Sequence, residues 1–294
     1  MQKQIIANKR NTILIMAGFV IFIGLLGVLF SYLCDDFGVL IWVMIISIGY
    51  TVLQYFLADK LSVALVGAKQ IEKKDNPRLY RAVESLSVSM KLPMPKVYII
   101  NDSAPNAFAT GRDPEHSIVA ATTGLVEIMD DKELISVMAH EMSHIKNYDI
   151  RVSLIVFGLV SIVGVISDLG FRLLFYGRTR RSSDREQSPI GFLIIVISAI
   201  LAPLAAMLAQ MAASREREYL ADASAAHVTH HPECMISALK KLDTHGRPMQ
   251  SQNPAAEAMY INNPLKKGLF SGLFSTHPSI EKRIARLENA KTKF

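Results

Sequence analysis

Residues 130–149 read Asp130-Asp131-Lys132-Glu133-Leu134-Ile135-Ser136-Val137-Met138-Ala139-His140-Glu141-Met142-Ser143-His144-Ile145-Lys146-Asn147-Tyr148-Asp149. A helix is predicted over Glu127–Tyr148, with Asp130 as N-cap and Glu133 three residues on, the spacing of a capping box. Within it stands His140-Glu141-x-x-His144. Residues four apart share a helical face, so both imidazoles can reach one metal ion. Glu141, about 100° round from His140, can address an open coordination position. Zinc suits such ligands: it lowers the pKa of a bound water to about 7 and polarises a carbonyl, while a glutamate accepts the water proton and passes it to a leaving amine. The expected reaction is peptide-bond hydrolysis. A random chain of this length matches the pattern roughly once in a hundred times, so its setting on a capped helix matters.

Outward from this helix the chain is apolar. Of 294 residues 50% are hydrophobic and 20% charged, with mean hydropathy +0.26; soluble domains carry about 25% charged residues. Thr12–Cys34 and Phe37–Ala58 contain no charge, and each reaches the roughly 20 residues that cross a bilayer. Only Asp35 and Asp36 separate them, which implies a tight helical hairpin. The first run is too long for the h-region of a signal peptide and no small-x-small site follows it, so it reads as an uncleaved anchor. Lys3, Lys9 and Arg10 precede this hairpin and Lys60, Lys69, Lys73 and Lys74 follow it. The positive-inside tendency then places the N-terminus and the chain beyond residue 60 in the cytoplasm. The net charge of +6 therefore serves orientation in part and does not call for nucleic acid. Cys34 and Cys234 are too few for a disulfide scaffold or a cysteine zinc cluster.

A second apolar hairpin is expected over residues 152–213, although it carries Asp168 and Arg172 and a basic connection with Arg178, Arg180, Arg181 and Arg185. Residues 61–151 and 214–294 then form one soluble domain, and residues 1–60 the N-terminal membrane hairpin. Helices are expected at Asn76–Lys91, Ser214–Val228, Glu233–Leu242 and Ser279–Ala290, strands at Lys96–Ile100 and Ser117–Ala121, and a long loop or flap over residues 244–276. The fold class is α+β, mainly helical.

A catalytic zinc needs a third protein ligand. Asn147 and Ile150 stand where a third histidine motif would need Gly and His, so the ligand must come from elsewhere. Glu218 and Asp222, four apart in Ser214-Arg215-Glu216-Arg217-Glu218-Tyr219-Leu220-Ala221-Asp222, can supply one carboxylate to the metal and one to a ligating histidine; a solvated charged helix is the alternative. His227, His230 and His231 stand at a helix end before Pro232 and read as surface.

His140-Glu141-x-x-His144, an apolar hairpin, Ser214-Arg215-x-x-Glu218-x-x-Ala221-Asp222 and Thr276-His277-Pro278, in this order, resemble the HtpX family of bacterial membrane zinc metalloproteases across essentially the whole chain. The resemblance implies a gluzincin-like domain and one zinc per chain, held by His140, His144 and Glu218. It implies Glu141 as general base and Asp222 as support of the site. It further implies a multi-pass protein of the bacterial inner membrane with a cytoplasmic active site, which cleaves misfolded or damaged membrane proteins in quality control under stress. His277 and Arg283 resemble residues that stabilise the oxyanion in related enzymes, with helix capping as the alternative for Thr-His-Pro. Asn106-Ala107-Phe108 resembles the family's substrate-binding edge strand, with a plain turn after Pro105 as the alternative. The bilayer and protein substrates are the expected partners. Three rivals remain: a prenyl-protein-processing endopeptidase, a transporter or channel with a cytoplasmic metal-binding domain, and a metal-stabilised scaffold for which Glu141 has no use.

Overall fold

A computed structural model describes residues 2–160, 215–250, 260–261 and 278–290. Two long helices open the chain, α1 over Gln2–Cys34 and α2 over Phe37–Leu65. Between them Asp35 takes φ 50° and Asp36 caps α2, its side chain accepting from the Gly38 amide at 2.8 Å, which reverses the chain as the two aspartates predict. Ile5–Val28 and Leu40–Leu65 are long and apolar enough to cross a membrane. Only 22% and 17% of their apolar windows are buried, so Ile13, Ile21, Leu25, Trp42 and Ile45 lie exposed, as a lipid-facing surface requires.

The chain is again helical from residue 149 to residue 160 (α6), where the sequence predicts the second hairpin. Val152, Ile155, Val156 and Leu159 pack on Ile15 and Phe19 of α1. The α2 side chains Gln54 and Tyr50 donate to backbone carbonyls of α6, at Leu154 and Ile155 (3.1 Å each) and at Gly158 (2.7 Å). Buried amides and hydroxyls need such partners, and here they join α2 to α6. The rest of the expected hairpin, residues 161–213, lies outside the described residues.

The remaining elements form an α+β unit. Helix α3 (Pro77–Met90) is capped by Asn76, whose side chain accepts from the Leu79 amide at 3.0 Å. A four-stranded mixed sheet contains β1 (Lys69–Gln70), β2 (Lys96–Ile100), β3 (Ala107–Gly111) and β4 (Ser117–Thr122) in the order β1-β2-β4-β3. Strands β2 and β4 are parallel, Val97 beside Val119, while β3 runs antiparallel to β4 as an edge, Ala109 beside Val119. Strand β3 has no alternating pattern because all five of its residues are buried. Only the resemblance marked its first residues in the sequence.

The motif helix starts later than its pattern suggests. Thr123–Ile128 form a separate helix α4, and α5 spans Asp131–Lys146. The capping box of Asp130 and Glu133 is present, with both bonds at 2.8 Å. The break is fastened by Arg78, which donates to the carbonyls of Val126 and Met129, and by Lys241, which donates to the Ile128 carbonyl at 2.9 Å. At its other end α5 stops before Tyr148, which takes φ 60°. Helices α7 (Arg215–Thr229), α8 (Pro232–His245) and α9 (Ile280–Ala290) lie close to their expected bounds. Leu134, Val137, Met138 and Met142 of α5 belong to one core with Leu79 and Val83 of α3, Ala225 of α7 and Leu239 of α8. The motif helix is thus enclosed by the unit it organises.

Candidate metal centre

His140 and His144 leave α5 on the face that meets α7, and Glu218 and Asp222 leave α7 toward them. Packing of the two helices brings His140, His144 and Glu218 together, with ligand atoms within 4.8 Å of one another. The Nε2 atoms of His140 and His144 lie 3.3 Å apart. Glu218 Oε2 is 3.6 Å from the first and Oε1 is 3.5 Å from the second. Ligands of a tetrahedral zinc at about 2.0–2.1 Å stand roughly 3.3–3.4 Å from each other, so these side chains already hold the separations such an ion requires.

The other face of each ring explains why. His140 Nδ1 is 2.9 Å from Asp222 Oδ1, and His144 Nδ1 is 3.0 Å from Asp149 Oδ2. An ionised carboxylate can only accept, so each Nδ1 carries the proton and each Nε2 turns a lone pair into the cluster. Two lone pairs and a carboxylate facing each other in a buried site repel unless a cation lies among them. The donor set fits a metal ion. Without one, a proton can take its place: burial opposes charge on His140, yet hydrogen bonds to Asp222 and Glu218 outweigh it and raise its pKa to about 9. Burial likewise opposes charge on His144, and the bond to Asp149 with the field of Glu218 moves it upward.

Glu141 is 2% exposed, and its Oε1 has no hydrogen-bond partner among the described residues. Burial pushes its carboxyl upward, opposed by His140 and His144. A buried carboxylate oxygen without a donor, beside a convergent ligand set, is what a base awaiting a proton requires.

Arg283 reaches the site from α9 and is 1% exposed. Its Nε and Nη2 donate to the two oxygens of Asp222 at 2.8 and 2.6 Å. Its Nη1 lies 3.7 Å from Glu218 Oε2 and 3.5 Å from the Ile261 carbonyl. Burial would raise the Asp222 carboxyl, but Arg283 and His140 hold it at about 2. The structure thus places Arg283 at the centre, clamped on Asp222. His277 lies outside the described residues.

Asn106 stands at the entrance of β3 rather than in the metal cluster. It is 2% exposed, its side chain accepts from the Ala107 amide at 3.1 Å, and its backbone amide donates to Thr122 Oγ1 at 2.9 Å. The outer edge of β3 is met by the chain itself: Phe108 forms an antiparallel bridge with Tyr260, and the Ile261 amide donates to the Ala107 carbonyl at 3.0 Å. At the α7–α8 turn, His231, Glu233 and Cys234 also stand close, and His231 Nδ1 meets Glu233 at 2.9 Å on the surface.

The sequence pattern assigns no role to Asp149. The signal was slight: an acid five residues after His144, beyond a helix end. Only the left-handed Tyr148 turn brings it back to that ring.

Comparison with known proteins agrees with this geometry. Residues 73–291, which contain both motif helices, match the family described as Peptidase family M48. A "Protease HtpX homolog" from Tropheryma whipplei (strain Twist) is 51% identical over 288 residues, covering 98% of this chain and 97% of the relative. Another from Ligilactobacillus salivarius (strain UCC118) is 44% identical over 294 residues, covering 98% of this chain and 99% of the relative. The crystal structure of S. mikatae Ste24p shares the fold at TM-score 0.54 and 20% identity, covering 98% of this chain and 67% of that one. With two apolar helices ahead of a histidine and glutamate cluster on two packed helices, and relatives so similar over nearly its full length, the chain belongs to peptidase family M48 and is a membrane metalloprotease.

Proposed function

We propose that this chain is a zinc endopeptidase of the bacterial inner membrane, with His140, His144 and Glu218 as metal ligands and Glu141 as general base. The carrying observation is the convergence of three ligand groups at 3.3–3.6 Å beside a Glu141 oxygen that has no partner among the described residues. When bound there, zinc supplies a Lewis acid that polarises the scissile carbonyl and acidifies water. Glu141 takes the proton from water on its Oε1 and delivers it to the leaving amine, a transfer its upward-shifted carboxyl favours. Asp222 and Asp149 hold the proton on each Nδ1, keeping Nε2 of His140 and His144 free to ligate. Arg283 locks Asp222 in that duty.

The peptide substrate adds as a strand to the outer edge of β3. That edge takes an antiparallel bridge at Tyr260, with the Ile261 amide donating to it, a pairing that a substrate strand would replace, and backbone pairing gives affinity with little sequence demand. Such tolerance suits misfolded or damaged membrane proteins, whose exposed loops are extended. Residues 61–151 and 214–294 act as one domain, residues 1–60 as the membrane hairpin and 152–213 as a second hydrophobic hairpin. The domain faces the cytoplasm, a placement supported by Lys3, Lys9 and Arg10 at the end of α1 that touches it. As oxyanion helpers the chain offers His277 and Arg283, and Asn106 anchors the start of the substrate edge.

The test is metal content and cleavage of an unfolded substrate by the full-length protein. Glu141→Gln is expected to keep one zinc per chain and lose cleavage, and Glu218→Ala to lose most of the metal. Undiminished hydrolysis by Glu141→Gln would remove the base from this mechanism, and full zinc occupancy in Glu218→Ala would move the third ligand elsewhere.

A further inference from the structure

Helix α1 enters the membrane with a buried polar side chain in its first turns. Asn8, four residues into the apolar span Ile5–Val28, is 2% exposed. Its Nδ2 donates to Asp149 Oδ1 at 2.6 Å and to the Asn147 carbonyl at 2.8 Å. Asp149 Oδ2, the other oxygen of the same carboxylate, faces His144 Nδ1 at 3.0 Å. The next residue, Lys9, places Nζ 4.4 Å from the centre of the Tyr148 ring. Consecutive residues of α1 therefore hold the three-residue corner, Asn147 to Asp149, that joins α5 to α6.

We infer that Asn8 is a positioning residue of the metal centre, through which the first membrane helix fixes Asp149 and so the orientation of His144. The corner needs holding. Tyr148 sits at φ 60°, where a bulky side chain is strained, and without that turn Asp149 would follow the α5 axis away from His144. Asp149 has two oxygens and could rotate to offer either one. An amide that occupies Oδ1 and is itself fixed by the Asn147 carbonyl leaves Oδ2 for the imidazole. A carboxylate with both oxygens bonded is ordered and acceptor-only, which keeps the proton on His144 Nδ1. The anchor then does more than tether: its docking completes the ligand geometry. This inference rests on His140, His144 and Glu218 being the zinc ligands.

Zinc affinity of full-length protein in nanodiscs, measured by competition with a chromophoric chelator in a Glu141→Gln background, tests it apart from activity. Loss of a partner that orients a metal ligand typically costs about 10–100-fold in affinity; Asn8 acts one bond further out, so Asn8→Ala is expected near the lower end. Asn8→Asp sets a second carboxylate against Asp149 and is expected to lose more. Asn8→Ala is expected to have no further effect in an Asp149→Ala background. Ile15→Ala, which loosens the packing of α1 on α6 without touching Asp149, is expected to lower thermal stability and leave zinc affinity unchanged. Unaltered affinity in Asn8→Ala overturns the inference, as does an equal loss in Ile15→Ala or an additive loss in the double variant. Absence of zinc from the parent protein overturns the ligand assignment and this inference with it. Normal zinc in the parent with no Asn8 effect overturns the inference alone.

Discussion

The Arg283–Asp222 pair allows a worked prediction. Asp222 is 2% exposed and Arg283 1%, and the contact is bidentate at 2.6 and 2.8 Å, with His140 2.9 Å from the same carboxylate. Arg283→Met keeps most of the side-chain volume and removes the guanidinium, which leaves the buried Asp222 carboxylate with the His140 imidazole as its partner among the described residues. Breaking such a pair from one side costs about 3–5 kcal/mol. Asp222→Asn removes the charge behind both short hydrogen bonds of the buried guanidinium and leaves it with Glu218 at 3.7 Å and the field of Glu141, and a loss of similar size is expected. The double variant buries neither charge, so its destabilisation should fall short of the sum of the singles by about 2–3 kcal/mol. The assay is urea unfolding of metal-free full-length protein in detergent, followed by pulse proteolysis, since bound zinc would add its own stabilisation. Additivity within about 0.5 kcal/mol would refute the view that the two charges hold each other in place.

Acid sensitivity follows from two carboxyls. Lys241, Ser237 and the Asp130 amide hold Glu133 below its ordinary value of 4.5 although burial opposes them, and Asp222 lies at about 2 against 3.8. Lowered folded values contribute stability above the ordinary carboxylate range, which is lost as pH falls from about 4.5 toward 2; Glu133→Gln should flatten part of a Tm against pH curve over that window. A Cβ on Gly124 would meet the Ser103 carbonyl oxygen at 2.0 Å, whereas one on Gly49 meets nothing within 4 Å. Gly124→Ala should therefore cost about 1–3 kcal/mol in chemical unfolding, and Gly49→Ala, inside α2, should cost nothing.

Local chemistry made much of this protein legible as sequence. The capping box of Asp130 and Glu133 and the four-residue spacings of His140/His144 and Glu218/Asp222 are short-range features, written in neighbouring residues and realised as soon as a helix forms. The uncharged runs split by Asp35 and Asp36 set a helical hairpin in the same way, because backbone groups in lipid must be satisfied within the helix. The capping box marks where α5 begins, but the separate helix before it was not decided locally: the apolar pattern runs back through Glu127, and the carbonyls at the break are met by Arg78 and Lys241 arriving from α3 and α8. Strand β3, buried on both faces, has no period to read. At the metal centre the sequence by itself determined the ligand types, while the tertiary structure decided which atoms face one another. Asp149 returns to His144 through a left-handed tyrosine, Arg283 closes on Asp222 from 61 residues away, and Asn8 reaches Asp149 across 141 residues. Contacts at such separations leave no periodic trace, because they follow from helix packing rather than from the geometry of any one helix.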